Sequence, residues 1–178
     1  MSFQNLSIKE YMSLLSQKRA TPGGGSALAI TLELSISLCL MVVNFTIDKK
    51  GYEKVQNRMK ELLITLNEFN NMASSLADED SISFKELMIA FKTGDKIIIS
   101  NAAKVTCEVP YRLYLLTEQV EQIAQELMLN GNKNVYPDAK TAQDLCYAIY
   151  PGCKANIEAN ISYILDEEFI NRMKTILN

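Results

Sequence analysis

The sequence of 178 residues contains no histidine, so the commonest general base and the commonest zinc ligand are both absent. Polar chemistry falls instead to carboxylates and amides set among apolar neighbours. Asp80 interrupts an apolar helical seam, where a carboxylate is costly unless partnered. It is either functional or the cap of a helix restart, a reading that the acidic run Asp78-Glu79-Asp80 keeps open. Glu108 stands beside Pro110, which inside a helix kinks it and frees the carbonyl of Thr106. Asp138 opens a further helical stretch whose apolar face, Ala142, Leu145, Ile149 and Cys153, continues into Asn156 and Asn160. Asp138 and Asn156 are separated by about five turns, so they share a face if Pro151-Gly152 leaves the helix unbroken.

A second polar feature is the turn Thr21-Pro22-Gly23-Gly24-Gly25-Ser26. Three glycines permit positive φ and close approach, and Ser26 stands where a helix N-cap belongs. Exposed amides at a helix N-terminus form an anion site; the same turn also serves simply to pack one helix on another. In the apolar helix that follows, Ser26, Glu33, Ser37 and Asn44 fall within about 40° of one another. That polar line faces a site, a water-filled seam or a partner subunit, unless Glu33 simply pairs with a nearby Lys.

The elements that position these groups are all helical. Ser7 caps a short helix to Gln17 with Ile8, Met12 and Leu15 on its inner side, and residues 26–45 form the apolar helix. A seam of three- and four-residue steps runs from Tyr52 to Phe91 and predicts one long helix; a second runs from Ala102 to Leu127. Thr93-Gly94-Asp95 is the turn between them. Residues 129–137 form a loop, Pro137 suits a first helical position, and Asp166 to Leu177 make a last short helix. The expectation is one domain, residues 1–178, folded as an all-α, up-and-down bundle of about five to six helices. A net charge of −3 without a basic patch argues against nucleic acid as partner. Four cysteines without CxxC spacing read as reduced core residues of a cytoplasmic protein. The 26–45 helix is long enough to cross a membrane, but Glu33, its hydroxyls and its amphipathic neighbours favour a buried core helix.

The succession Pro22-Gly23-Gly24-Gly25-Ser26, Met41-Val42-Val43-Asn44-Phe45-Thr46, Asp80-Ser81-Ile82-Ser83-Phe84, Ala90-Phe91-Lys92, Cys107-Glu108-Val109-Pro110, Gly131-Asn132-Lys133-Asn134 with Asp138, and Asn156 to Asn160 resembles the cyclodeaminase/cyclohydrolase family of folate enzymes. The resemblance implies a dimeric helical fold acting on the one-carbon unit of tetrahydrofolate, with no metal and no cofactor beyond that substrate. The cyclodeaminase closes 5-formiminotetrahydrofolate with loss of ammonia; the cyclohydrolase adds water to the methenyl carbon. On that footing Asp80, Asp138 and Glu108 are the candidate catalytic carboxylates. Asn132, Asn156 and Asn160 offer amides to the pterin. The turn Gly23, Gly24, Gly25 and Ser26, with Lys49 or Lys50, is expected to hold the glutamate tail. Absence of a fused transferase leans towards the cyclohydrolase. Departures from the family pattern, Pro137 where a Ser precedes the acid, Lys133 for Pro and Cys107 for Thr, favour a second reading: an inactive member that binds folate or a protein partner.

Overall fold

Ser7 starts α1 (Ile8–Leu15) with a reciprocal cap: its hydroxyl accepts the Glu10 N–H, and the Glu10 carboxylate accepts the Ser7 N–H. The computed structural model describes residues 2–177. The inner face of α1 differs from the one predicted. Tyr11 is buried, while Ile8 and Met12 are 77% and 54% exposed. The Tyr11 ring takes the inner position because it meets Phe3 edge-on at 5.4 Å and its hydroxyl finds a buried partner on the next helix.

The apolar helix α2 (Gly24–Asn44) begins before Ser26 and ends before Phe45. Ser26 is therefore not the N-cap: it is the third helical residue, and its hydroxyl reaches back to accept the Gly23 N–H at 3.2 Å. Nor do Gly23, Gly24 and Gly25 adopt positive φ, which among the described residues is found at Asp48, Gly51 and Gly94. Leu32, Ile36, Cys39, Val42 and Val43 are fully buried, and α2 packs against α3 (Gln56–Thr93), α4 (Lys96–Asn130) and α5 (Tyr136–Ile161). By length and composition α2 passes for a membrane span; in this fold its inner side is the centre of the bundle.

The two longest helices, α3 and α4, are joined by Gly94 at φ 69° and by Asp95, whose carboxylate accepts the Ile97 and Ile98 N–H groups. Residues 53–55 form a 3₁₀ turn, so α3 starts later than its apolar seam suggests. It runs unbroken through Asp80, which therefore caps no restart of its own helix. Pro110 in α4 and Pro151 in α5 are likewise accommodated without a break. The residues between α4 and α5 are tightly tied. Gly131 leaves no room for a Cβ, which would stand 2.6 Å from the Leu127 carbonyl oxygen. Lys133 donates to the carbonyls of Met128 and Leu129 and so caps the end of α4. A last helix, α6 (Glu167–Lys174), closes a second apolar cluster with Leu87, Cys107, Ile157 and Met173. Among the described residues there is no strand, and the four cysteines are buried and unbridged.

Candidate active site

The close packing of α3 on the start of α2 puts a carboxylate at a helix N-terminus. Asp80 Oδ2 accepts the Ser26 N–H at 2.9 Å, so Asp80 caps another helix across the bundle. The anion site anticipated at the glycine turn is thus occupied by the protein's own side chain. Gly25 is what allows it: a Cβ there would lie 1.9 Å from Asp80 Oδ1 and 2.5 Å from Cγ. Gly24 has no such constraint, its nearest neighbour being Asn156 Nδ2 at 4.0 Å.

Asp80 borders a pocket of about 210 Å³ lined by Thr21, Gly23, Gly24, Gly25, Phe84, Thr106, Pro110, Asn156 and Asn160. Burial pushes its carboxyl above the ordinary value of 3.8, and the Ser26 N–H opposes that shift. No lysine or arginine lines the pocket, and among the described residues Asp80 has no ion pair. Asn156 and Asn160 each spend an amide N–H within α5, on the carbonyls of Gly152 and Asn156. The Thr106 hydroxyl lies 3.0 Å from the Ala102 carbonyl and 3.2 Å from that of Ser83. The pocket therefore holds one carboxylate, two side-chain amides and no side-chain cation among its lining residues.

Other nominated residues lie elsewhere in the chain. Asp138, half-buried in the first turn of α5, is about 27 Å along that helix from Asn156. Glu108 is held by Arg172 at 2.6 and 3.2 Å in a separate groove with Glu79, Lys104 and Arg112. It is flanked in sequence by Thr106 and Pro110, but points to the other side of α4. Lys49 and Lys50 follow the far end of α2, about 31 Å from the glycine turn, so within one chain the two cannot grip one short tail. Asn132 is buried, with its side chain donating to the Phe45 carbonyl and accepting the Asn134 N–H; it braces the loop. Glu33 has no ion pair among the described residues and shares a groove with Ser74; burial raises its carboxyl, Ser74 opposes that shift and Asp78 adds to it. Sequence reasoning missed Tyr11, whose hydroxyl lies 3.1 Å from Ser26 Oγ. Its only sequence signal was a polar tip one residue from the supposed inner face of α1.

The family described as formiminotransferase-cyclodeaminase matches residues 7–178. The chain is 28% identical over 174 residues to a methenyltetrahydrofolate cyclohydrolase of Methylorubrum extorquens, covering 93% of this chain and 84% of that one. It is 23% identical over 168 residues to the formimidoyltransferase-cyclodeaminase of Gallus gallus, of whose length it spans 31%. The crystal structure of formiminotetrahydrofolate cyclodeaminase from Thermotoga maritima superposes with a TM-score of 0.94 at 32% identity, over 98% of this chain and 87% of that one.

Proposed function

This chain belongs to the formiminotransferase-cyclodeaminase family, and from that premise we propose that it is an enzyme of folate metabolism acting on a one-carbon derivative of tetrahydrofolate. The reaction is either that of a methenyltetrahydrofolate cyclohydrolase or that of a formiminotetrahydrofolate cyclodeaminase, as in its relatives. The observation that carries the reading is Asp80: a carboxylate fixed at a helix N-terminus in a pocket without a cation. The methenyl group is an amidinium cation spread over N5 and N10, and a partly desolvated carboxylate stabilises that charge.

Asp80 also has the acid–base character that both reactions need. In hydrolysis a carboxylate takes a proton from the water attacking the methenyl carbon and returns one to N5 as its bond to that carbon breaks. In deamination it takes the N10 proton as N10 attacks the formimino carbon and delivers one to the departing ammonia. A carboxyl raised by burial is suited to both directions of transfer. Asn156 and Asn160 line the same pocket and have the polarity to meet the pterin edge.

The reading includes a second copy of the chain, working in the cytoplasm. On α2, Leu34 is 54% exposed in a groove shared with exposed Ile8 and Met12 of α1, and Phe45, just past the end of α2, is 56% exposed. Such an apolar face is suited to a homodimer. Sedimentation of the purified chain as a monomer at micromolar concentration would remove that part of the proposal.

Turnover is tested by following the absorbance of methenyltetrahydrofolate, and ammonia release from the formimino derivative, with wild type and Asp80→Asn. The expected loss in the variant is about a hundredfold to a thousandfold in whichever reaction the wild type performs. A wild type that binds folate yet turns over neither substrate above the buffer rate is a binding module instead.

A further inference from the structure

Behind Asp80 lies a buried hydroxyl pair that the proposed chemistry does not use. Tyr11 in α1 is 5% exposed, Ser26 is fully buried, and their oxygens stand 3.1 Å apart. Ser26 Oγ donates to the Gly23 carbonyl at 3.0 Å and accepts the Gly23 N–H at 3.2 Å. With the single Ser26 proton directed at Gly23, Tyr11 is the donor to Ser26. The same residue's backbone N–H holds Asp80 Oδ2. Tyr11 is itself fixed from outside the relay: its ring meets Phe3, and the Phe3 N–H donates to Asp78 Oδ1 at 2.8 Å.

We propose that Tyr11 is a positioning residue for Asp80: its hydroxyl, acting through Ser26, fixes the first turn of α2 against the carboxylate. The proposal rests on the reading that Asp80 is the working group of the pocket. The surroundings of Asp80 leave it dependent on that turn. α4 brings only Thr106 and Pro110 to the pocket, and α2 brings backbone. From α5 the titratable neighbour is Cys153, whose thiol burial pushes up to about 12 and which stays neutral. From α1 it is Tyr11, also raised by burial and neutral. No cation faces the carboxylate among the lining residues, so the Ser26 amide is what offsets its burial. Loosening that amide makes Asp80 easier to protonate, and its titration midpoint moves up.

The test follows the Asp80 carboxyl carbon by NMR across pH in the full chain, the resonance being assigned by its loss in Asp80→Asn. Tyr11→Phe keeps the ring and removes only the hydroxyl. Its expected effect is an upward shift of about half a pH unit, roughly threefold in proton affinity. Ser26→Ala, which keeps the backbone N–H, is expected to give the same rise, and Tyr11→Phe to add nothing in that background. An unchanged midpoint in folded Tyr11→Phe overturns the proposal. So does an equal rise from Tyr11→Phe with and without the Ser26 hydroxyl, because Tyr11 then acts on Asp80 by another route. Should Tyr11→Phe fail to fold, Ser26→Ala reads the same link, and an unshifted midpoint there is equally decisive. The midpoint is measured without turnover, so an Asp80→Asn variant that kept full activity would sink the functional reading and leave this result standing.

Discussion

Two adjacent glycines are expected to respond in opposite ways to the same substitution. An alanine methyl at Gly25 would sit 1.9 Å from Asp80 Oδ1, 2.5 Å from Cγ and 2.9 Å from Oδ2. Non-bonded carbon contacts settle near about 3.5 Å, so the carboxylate has to move by more than roughly 1 Å. A displacement of that size exceeds the half-ångström or so within which a preorganised site works. It also carries Oδ2 off the Ser26 N–H. Misplacing a reacting group by about 1 Å costs about a hundredfold in rate, roughly 2.7 kcal/mol. Gly24→Ala adds the same methyl where the nearest atom is 4.0 Å away, and should keep turnover within about threefold of wild type. Both changes gain up to roughly 1 kcal/mol of helix propensity, so Gly24→Ala should melt no lower than wild type. The assay is methenyltetrahydrofolate absorbance for rate, with thermal unfolding alongside. Equal rates for the two variants would refute the argument that Gly25 exists to admit Asp80.

The remaining expectations concern charge. Asp80→Asn should unfold at least as hard as wild type near neutral pH. Because burial raises the folded-state pKa of Asp80 above 3.8, its stabilising contribution is full at low pH and is lost as pH rises through that raised value. The stability gap between Asp80→Asn and wild type, read from urea midpoints, should therefore widen upward from the ordinary carboxylate range. Glu108→Gln should leave turnover within about threefold, since Glu108 sits in another groove paired with Arg172, and a pair this exposed contributes about 0–1 kcal/mol. A large activity loss there would show that the site extends to that groove. Leu34→Lys, placed on the exposed side of α2, should shift the chain towards monomer in sedimentation without lowering its helix content.

The helices were legible because their signals are local. The three- and four-residue steps of α3 and α4 and the Gly94 stop depend only on neighbouring residues, so both helices and the turn between them are found, although α3 starts at Gln56 rather than Tyr52 and α4 already at Lys96. Asp80 was legible for a related reason: a charge on an apolar seam is anomalous whatever lies opposite. Its partner was not legible, because Ser26 is 54 residues away and contributes a backbone amide that any residue type would supply. Asp138 and Glu108 failed to gather with Asp80 for reasons of distance and direction. Shared face along α5 places Asp138 in line with Asn156, yet five turns of helix separate them. Membership of the same short motif did not turn Glu108 to the side of Thr106 and Pro110. Lys133 shows the converse: a departure from the family pattern becomes intelligible once its ammonium is seen on two terminal carbonyls of α4.

The pocket's charge imbalance bears on the direction of the proposed chemistry. A carboxylate and a unit cation about 4 Å apart, in surroundings of effective dielectric near 20, attract by roughly 4 kcal/mol before desolvation is counted. The Ser26 amide and the α2 dipole offset part of the Asp80 charge but leave Oδ1 without a protein donor among the described residues. A methenyl cation in the pocket completes that electrostatic arrangement; the neutral 10-formyl product of hydrolysis does not. The interaction that recruits the cation is therefore lost in the step that consumes it, so the same carboxylate that stabilises the charge also favours release of the neutral product. In deamination the charge persists in the product, and release must be driven otherwise. Asp80→Asn should therefore weaken the binding of the methenyl cation far more than that of 10-formyltetrahydrofolate, measured by calorimetry under conditions where turnover is slow. Equal weakening of both would show that Asp80 recognises some feature other than the charge.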